Sequence, residues 1–127
     1  MNFVKIFVYG TLKLGGHYSK QFDKYRCSSE PAILYGTLFN AGRFPALIKK
    51  GNNIIYGEVH KYKKPEIILP AIDHIEGFIS KESKMNLYIR EKVKILPKYS
   101  NECLAYVYFF TRSIKKMKYI KNGEWKI

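Results

Sequence analysis

Residues 3–9, Phe3-Val4-Lys5-Ile6-Phe7-Val8-Tyr9, are β-branched or aromatic at every position except Lys5. A run with so little to offer water is the pattern of a largely buried strand rather than of an edge strand wetted on one face. It stops abruptly at Gly10, and a loop leaving the end of a buried strand is a common place for chemistry. This segment sets the frame for the rest of the chain, because a buried strand needs neighbours on both sides and cover on both faces.

The neighbours are legible downstream. Ala32 to Phe39 and Ile54 to Tyr62 read as strands, with a turn at Asn40-Ala41-Gly42, a short apolar segment at Phe44 to Ile48 and a second turn at Gly51-Asn52-Asn53. Gly57, inside a strand, marks a bulge or a close backbone approach. Met85 to Leu96 carries Leu87, Ile89, Val93 and Ile95 on one parity, as a half-buried strand does, and Cys103 to Thr111 is a last strong strand. Helical spacing of Tyr18, Phe22 and Tyr25 predicts a short amphipathic helix over His17 to Tyr25. A second helical segment opens at Pro65, and Pro70 predicts that the helix restarts there, covers Ala71 to Ile75 and ends near Glu76-Gly77. Residues 113–127 form a basic tail with the lone Trp125, either a last hairpin or an ordered extension. The expectation is one α+β domain over residues 1–127, a small mixed β-barrel with a few short helices.

Composition narrows the function classes. The formal charge is +13, which invites a nucleic-acid reading, with Lys115, Lys116, Lys118 and Lys121 as the basic tail that would carry it. The excess is nearly all Lys rather than Arg, the better fork for phosphate and base edges. Lys, Ile, Asn and Tyr are also abundant together, as in a genome biased toward A and T codons. The lysines therefore read as a solvated surface that mildly attracts anionic ligands, and nucleic acid is not the expected partner. Cys27 and Cys103 have no metal-site or redox-motif spacing and read as buried or half-buried thiols, so neither a metal nor a disulfide is expected. No run approaches the ~20 apolar residues of a membrane span, and the apolar start is too short for a signal-peptide core, so the expected address is the cytoplasm.

Three constellations carry possible chemistry. At Tyr9-Gly10-Thr11-Leu12-Lys13, glycine allows a sharp turn in which successive backbone N–H groups converge on an anion, with the Thr11 hydroxyl as a further donor. In Ile72-Asp73-His74-Ile75-Glu76-Gly77-Phe78, Glu76 falls at a helix end beside an aromatic ring and a glycine. Partial desolvation there would raise its pKa toward the range useful to a general acid or base. His74 reads as a solvent-facing helix residue, and no Ser or Cys sits in a nucleophile's frame. Tyr88 with Arg90, and Tyr106 with Tyr108, share strand faces and can supply hydrogen bonds in a cavity or simply pack.

Taken in order, these segments resemble the γ-glutamyl cyclotransferase-like family, which includes γ-glutamylamine cyclotransferases and plant avirulence-induced proteins. The resemblance rests on Val8-Tyr9-Gly10-Thr11-Leu12-Lys13, Tyr35-Gly36-Thr37-Leu38-Phe39, Gly42-Arg43-Phe44-Pro45-Ala46-Leu47, Gly57-Glu58-Val59, Ile72 to Gly77, Tyr88-Ile89-Arg90 with Val93, and Ala105-Tyr106-Val107-Tyr108. It implies a fold built round a small β-barrel whose cavity holds a γ-glutamyl group. It also implies cofactor-independent conversion of γ-glutamyl amines or amino acids to 5-oxoproline and the free amine. By motif position Glu76 matches the family's catalytic glutamate and Tyr9, Gly10, Thr11 and Leu12 its substrate-binding loop, with Tyr108 as a further substrate-binding residue. Pro70 and Ile72 depart from the family pattern ahead of Asp73, and the short charged loop at Lys81 to Lys84 leaves the cavity lid undefined. The competing expectation is a non-catalytic protein that binds a small carboxylate-bearing ligand. Neither the leaving amine nor the oligomeric state follows from the sequence.

Overall fold

The computed structural model describes residues 2–127. Six strands form one sheet: β1 Phe3–Val8, β2 Arg26–Asn40, β3 Pro45–Lys63, β4 Tyr88–Pro97, β5 Cys103–Phe110 and β6 Lys118–Tyr119. The order is β3-β1-β5-β4-β2-β6, and β2 also pairs with β3, so five strands close into a barrel. Closure leaves the main strands without a free edge to template further pairing. Only β1 and β5 run parallel, meeting at Ile6 and Tyr106, while the other pairs are antiparallel.

Side chains alternate across each strand and so divide the core in two. The inward set, including Phe7 of β1 and Tyr9 just beyond it, Leu34 and Leu38 of β2, Ile55 of β3 and Val107 of β5, fills the barrel. The outward set of the same strands, including Val4, Ile6 and Val8 of β1 with Tyr88 and Tyr108, packs beneath Ile68 and Ile72 of an α-helix. That helix, α1, spans Pro65–Glu76. β1 is covered on both faces because one faces the barrel and the other the helix, which is why its sequence shows no polar alternation.

The helix differs from expectation in one respect. It runs through Pro70 without a restart. Pro70 and Glu66 are both exposed, so the carbonyl that loses its N–H partner faces water, while Ile68 and Ile72 are fully buried on either side and hold the axis in place. The C-terminus closes on Gly77 at φ 68°, with Phe78 N–H donating to the Asp73 carbonyl (2.9 Å) and Gly77 N–H to that of His74 (3.3 Å). This paired cap needs a left-handed residue, which glycine supplies.

Four further expectations are corrected. The helix expected over His17 to Tyr25 is a 3₁₀ turn over Lys20–Tyr25. Ser19 N–H bonds the Gly16 carbonyl and Phe22 N–H that of Ser19 (3.1 Å), each three residues back, so the segment winds as tight turns rather than as an α-helix. The segments at Phe44 to Ile48 and Ile54 to Tyr62 belong to one long strand, β3, in which the register shift opposite Gly36 and Thr37 lets residues 49–52 loop out. The expected turn at Gly51 is this excursion, held by Thr37 Oγ1 donating to the Lys50 carbonyl at 2.6 Å. β4 begins at Tyr88 rather than Met85, because the preceding loop is pinned by Asn86, which accepts from Ile79 N–H and donates to the Ser80 carbonyl, both at 2.7 Å. Cys27 is exposed on β2 and Cys103 half-buried, both free.

Gly57 marks a close approach: a Cβ there would lie 2.4 Å from the Val8 carbonyl oxygen and 2.6 Å from the Phe7 ring. The basic tail is an ordered extension. β6 adds to Phe39 and Asn40 of β2, Ile120 N–H donates to the Leu38 carbonyl (2.8 Å), and Lys13 Nζ reaches the Trp125 carbonyl (2.7 Å). Among the described residues no helix is long and apolar enough to cross a membrane.

Candidate active site

Where β1 runs out, Tyr9 to Leu12 turn beneath the C-terminal end of α1. Two backbone bonds shape the turn, Lys13 N–H to the Gly10 carbonyl (3.0 Å) and Tyr18 N–H to that of Thr11 (2.9 Å). The N–H groups of Gly10, Thr11 and Leu12 take part in none of the loop's hydrogen bonds among the described residues. Three successive donors are thus left for a ligand, an arrangement suited to an anion. Gly10 is required by packing: a Cβ there would sit 2.6 Å from Pro45 Cγ and 2.8 Å from Cδ. Pro45 opens β3, so this contact sets the distance between the loop and the opposite wall.

Glu76 is the last residue of α1. It lines the same pocket as Gly10, Thr11, Leu12, Pro45 and Tyr88. Although part of its surface remains accessible, its carboxyl is surrounded by protein and accepts no hydrogen bond from a described residue. Burial pushes its pKa up to about 7, and the neighbouring Asp73 charge adds to the rise. The C-terminal end of the helix is the negative end of its dipole and acts in the same direction.

Asp73, one turn earlier, is held quite differently. Arg90 Nη1 donates to both of its oxygens at 2.9 and 2.7 Å, and the Tyr108 hydroxyl donates to Oδ1 at 2.6 Å. The guanidinium lies over the rings of Phe78 (5.3 Å) and Tyr106 (4.9 Å), which fixes it further. Glu76 is therefore the carboxylate left free to take and return a proton.

Three tyrosines surround it. Tyr9 donates its hydroxyl to the Tyr108 carbonyl and Tyr88 its own to the Pro45 carbonyl (2.6 Å). Burial, first, and then the Tyr88 and Glu76 charges push Tyr9 well above the usual phenol range. Burial and Glu76 do the same to Tyr88, and burial and Asp73 to Tyr108. All three remain protonated donors at any physiological pH, which surrounds Glu76 with fixed dipoles.

The pocket has two parts. The inner one, from Phe7 to Leu12 across to Tyr108, has a volume of about 30 Å³. An outer chamber of about 400 Å³ shares Thr11, Phe44, Glu76 and Tyr88 with it and extends to Arg43 and Leu87. Phe44 stands edge-on to Tyr88, their ring centres 6.1 Å apart, at the junction. The middle of the barrel is packed with side chains, and the pocket lies at the seam between barrel and helix.

The structure thus brings Tyr9, Gly10, Thr11, Leu12, Glu76 and Tyr108 to one cavity. Tyr108 contributes its ring to the wall while its hydroxyl is turned to Asp73. His74 is exposed and takes no part. Among the described residues no group of three or more His, Cys, Asp or Glu stands together as a metal site would require. Sequence reasoning missed the Asp73–Arg90 pair, and for Tyr88 it left open whether the residue serves a cavity or packing; the structure places it in the pocket wall.

It also missed a buried network behind the loop. Glu58 Oε1 accepts from Leu14 N–H (2.9 Å) and from His60 Nε2 (2.8 Å). His60 is fully buried, and its Nδ1 lies 2.9 Å from the Tyr62 hydroxyl and 3.3 Å from Arg26 Nε. Arg26 can only donate, so Nδ1 is an acceptor and the ring hydrogen sits on Nε2, facing Glu58. Arg26 also grips Ser19 through its carbonyl (3.0 Å) and Oγ (3.1 Å). Burial alone would raise Glu58, but the bonds from His60 and Leu14 outweigh it and hold its carboxyl below the usual range. Both limbs of the excursion after β1 are thereby tied to β3.

Comparison with known proteins adds the following. A protein-family model described as gamma-glutamyl cyclotransferase, AIG2-like, matches residues 6–127. Among solved structures, the chain is similar to an AIG2-like protein from Mus musculus, with 20% identity and a TM-score of 0.69 over 99% of this chain and 90% of that one. It is similar to the protein ytfP from Escherichia coli, with 22% identity, a TM-score of 0.62 and 96% of each chain covered. It is also similar to YkqA from Bacillus subtilis, with 23% identity and a TM-score of 0.67 over 98% of this chain, though it spans only 40% of that longer protein. No curated protein matches it by sequence.

Proposed function

We propose that this chain, which belongs to the gamma-glutamyl cyclotransferase, AIG2-like family, converts a γ-glutamyl amine or γ-glutamyl amino acid to 5-oxoproline and the free amine. The observation that carries the reading is the pairing of one unengaged carboxylate, poised near neutrality, with three unengaged backbone donors in a single cavity.

The substrate's α-amine attacks its own γ-carbonyl carbon, so no protein nucleophile is needed. Glu76 takes a proton from the α-ammonium as the new carbon–nitrogen bond forms. When the bond to the leaving amine breaks, the same carboxyl returns this proton to that nitrogen, then takes the second proton that the lactam nitrogen must shed and passes it on, so that the amine departs as an ammonium. One amide bond is broken and one lactam bond formed, with no water consumed. A pKa of about 7 suits both halves, because the group is a base often enough to begin and an acid strong enough to finish.

The free N–H groups of Gly10, Thr11 and Leu12 fit a carboxylate or a developing oxyanion, and donors fixed before reaction stabilise charge without reorganising. Much of the acceleration in an intramolecular attack comes from conformation: nitrogen and carbonyl carbon must be held ~3 Å apart. The narrow inner pocket favours a folded glutamyl chain, while the wider chamber leaves room for the amine beyond the amide.

The test is mass spectrometry of the purified protein with γ-glutamyl amines, γ-glutamyl amino acids and glutathione, watching for 5-oxoproline beside a Glu76→Gln control. Product that vanishes in the variant supports the reading. Ligand bound without product by the native protein would replace it with that of a carboxylate-binding module.

A further inference from the structure

The outer chamber carries information about the leaving group. It continues from the reacting centre, since Thr11 and Glu76 line both compartments, so whatever lies beyond the scissile amide occupies it. Phe44, Ile75 and Leu87 give it apolar walls. Its one acidic residue is Glu76, which the proposed reaction already uses, and its one arginine is Arg43.

Arg43 sits on a built turn. Gly42 N–H donates to Asn40 Oδ1 at 2.7 Å, Ala41 N–H to the Phe44 carbonyl at 3.0 Å, and the next residue, Pro45, is wedged against Gly10. The backbone that carries the guanidinium is thus fixed relative to the substrate loop. The guanidinium itself forms no salt bridge and no hydrogen bond among the described residues, although Arg26 and Arg90 are both paired with aspartates. An unengaged arginine at the mouth of a cavity is a ready partner for a carboxylate and repels an ammonium placed beside it, while Glu76, the one carboxylate in the chamber, lies at its inner end, where the amide reacts.

We propose that the outer chamber selects γ-glutamyl compounds whose leaving amine bears its own carboxylate, with Arg43 reading that carboxylate. The preferred substrates are then γ-glutamyl amino acids rather than γ-glutamyl mono- or diamines, and the apolar walls favour small or hydrophobic side chains. This rests on the cyclotransferase reading and narrows it.

The experiment compares γ-glutamylalanine with γ-glutamylethylamine, which differ only by the carboxylate. The wild-type protein is expected to favour the alanine compound at least fivefold in kcat/KM, about the size of one charge-assisted hydrogen bond in a partly wet site, and chiefly through KM. Arg43→Gln is expected to bring the two near parity by losing activity on the alanine compound alone, and Arg43→Lys to restore part of the preference. Equal turnover by the wild type, or a preference that survives Arg43→Gln, overturns the subsite while leaving the cyclotransferase standing. If neither compound is turned over, the full panel of γ-glutamyl substrates decides the cyclotransferase reading, and calorimetric binding of the same two compounds decides the subsite. Equal or weaker binding of the alanine compound then overturns it as well.

Discussion

Asp73 and Glu76 stand one helical turn apart at the end of α1, and only the first has a counter-ion: Arg90 bridges both oxygens of Asp73, while no described residue donates to the Glu76 carboxylate. The pair divides two tasks that one carboxylate cannot perform together. Asp73 joins helix to sheet and lends its charge, and Glu76 is left to titrate.

The activity of the wild-type protein on a γ-glutamyl substrate is expected to rise with pH through a single ionisation near 7 in kcat/KM, since Glu76 must begin as the base. Stability should move the other way. The unfolded chain loses the Glu76 proton near 4.5 and the folded chain near 7, so the folded state binds more protons between these values and is progressively disfavoured as pH rises across them. The loss is at most about 3 kcal/mol. Urea unfolding at pH 5 and pH 8 checks this, with Glu76→Gln expected to show a smaller decline; equal declines in the two proteins would contradict the assignment.

Asp73→Asn removes the charge that helps to raise Glu76 and leaves the Arg90 cation without its partner. Both changes favour ionised Glu76, so the rising limb of the pH–rate profile is expected to move to lower pH. A profile unmoved, or shifted upward, would show that Asp73 does not act on Glu76 through its charge.

Gly10→Ala drives a methyl group into the Pro45 ring, with contacts of 2.6 and 2.8 Å before relaxation. Overpacking of this kind costs about 1–3 kcal/mol. Because Pro45 also receives the Tyr88 hydroxyl, the shift should reach the pocket wall, and KM should rise along with a fall in Tm. A variant with lowered Tm but unaltered KM would mean that the Gly10–Pro45 contact serves the fold alone.

Glu58→Ala leaves Leu14 N–H and the buried His60 Nε2 without an acceptor, at a cost of about 1–3 kcal/mol. Amide hydrogen exchange at Leu14 and along Gly10 to Leu12 is expected to quicken more than exchange in β5, which lies away from the network. Uniform quickening across the barrel would indicate global destabilisation instead. Glu58→Gln keeps an acceptor oxygen and should restore most of the protection.

How much of this was legible in the sequence depended on how local the cause was. β1, β4 and β5 follow from their own side chains, and the helix end at Glu76-Gly77 from a glycine that tolerates positive φ. Glu76 itself was found by motif resemblance, since a helix-end glutamate is ordinarily a surface residue. Pro70 misled because its effect depends on whether the orphaned Glu66 carbonyl meets water, a tertiary fact. Cys27 misled for a similar reason: its place on β2 turns it outward, which its residue type does not announce. The Asp73–Arg90 pair and the Glu58–His60 network join residues from different elements, or from one strand to a distant loop, and no spacing rule encodes such meetings.

The bond from the Tyr9 hydroxyl to the Tyr108 carbonyl joins residues 99 positions apart, and β1 lies between β3 and β5. A ribosome therefore releases the loop long before the wall that completes its pocket. Until β5 emerges, β1 has a partner on one side only, and the loop-closure entropy for the other side has yet to be met. No fragment that stops short of β5 contains the whole cavity, so in a nascent chain the pocket is completed only when Tyr108 emerges.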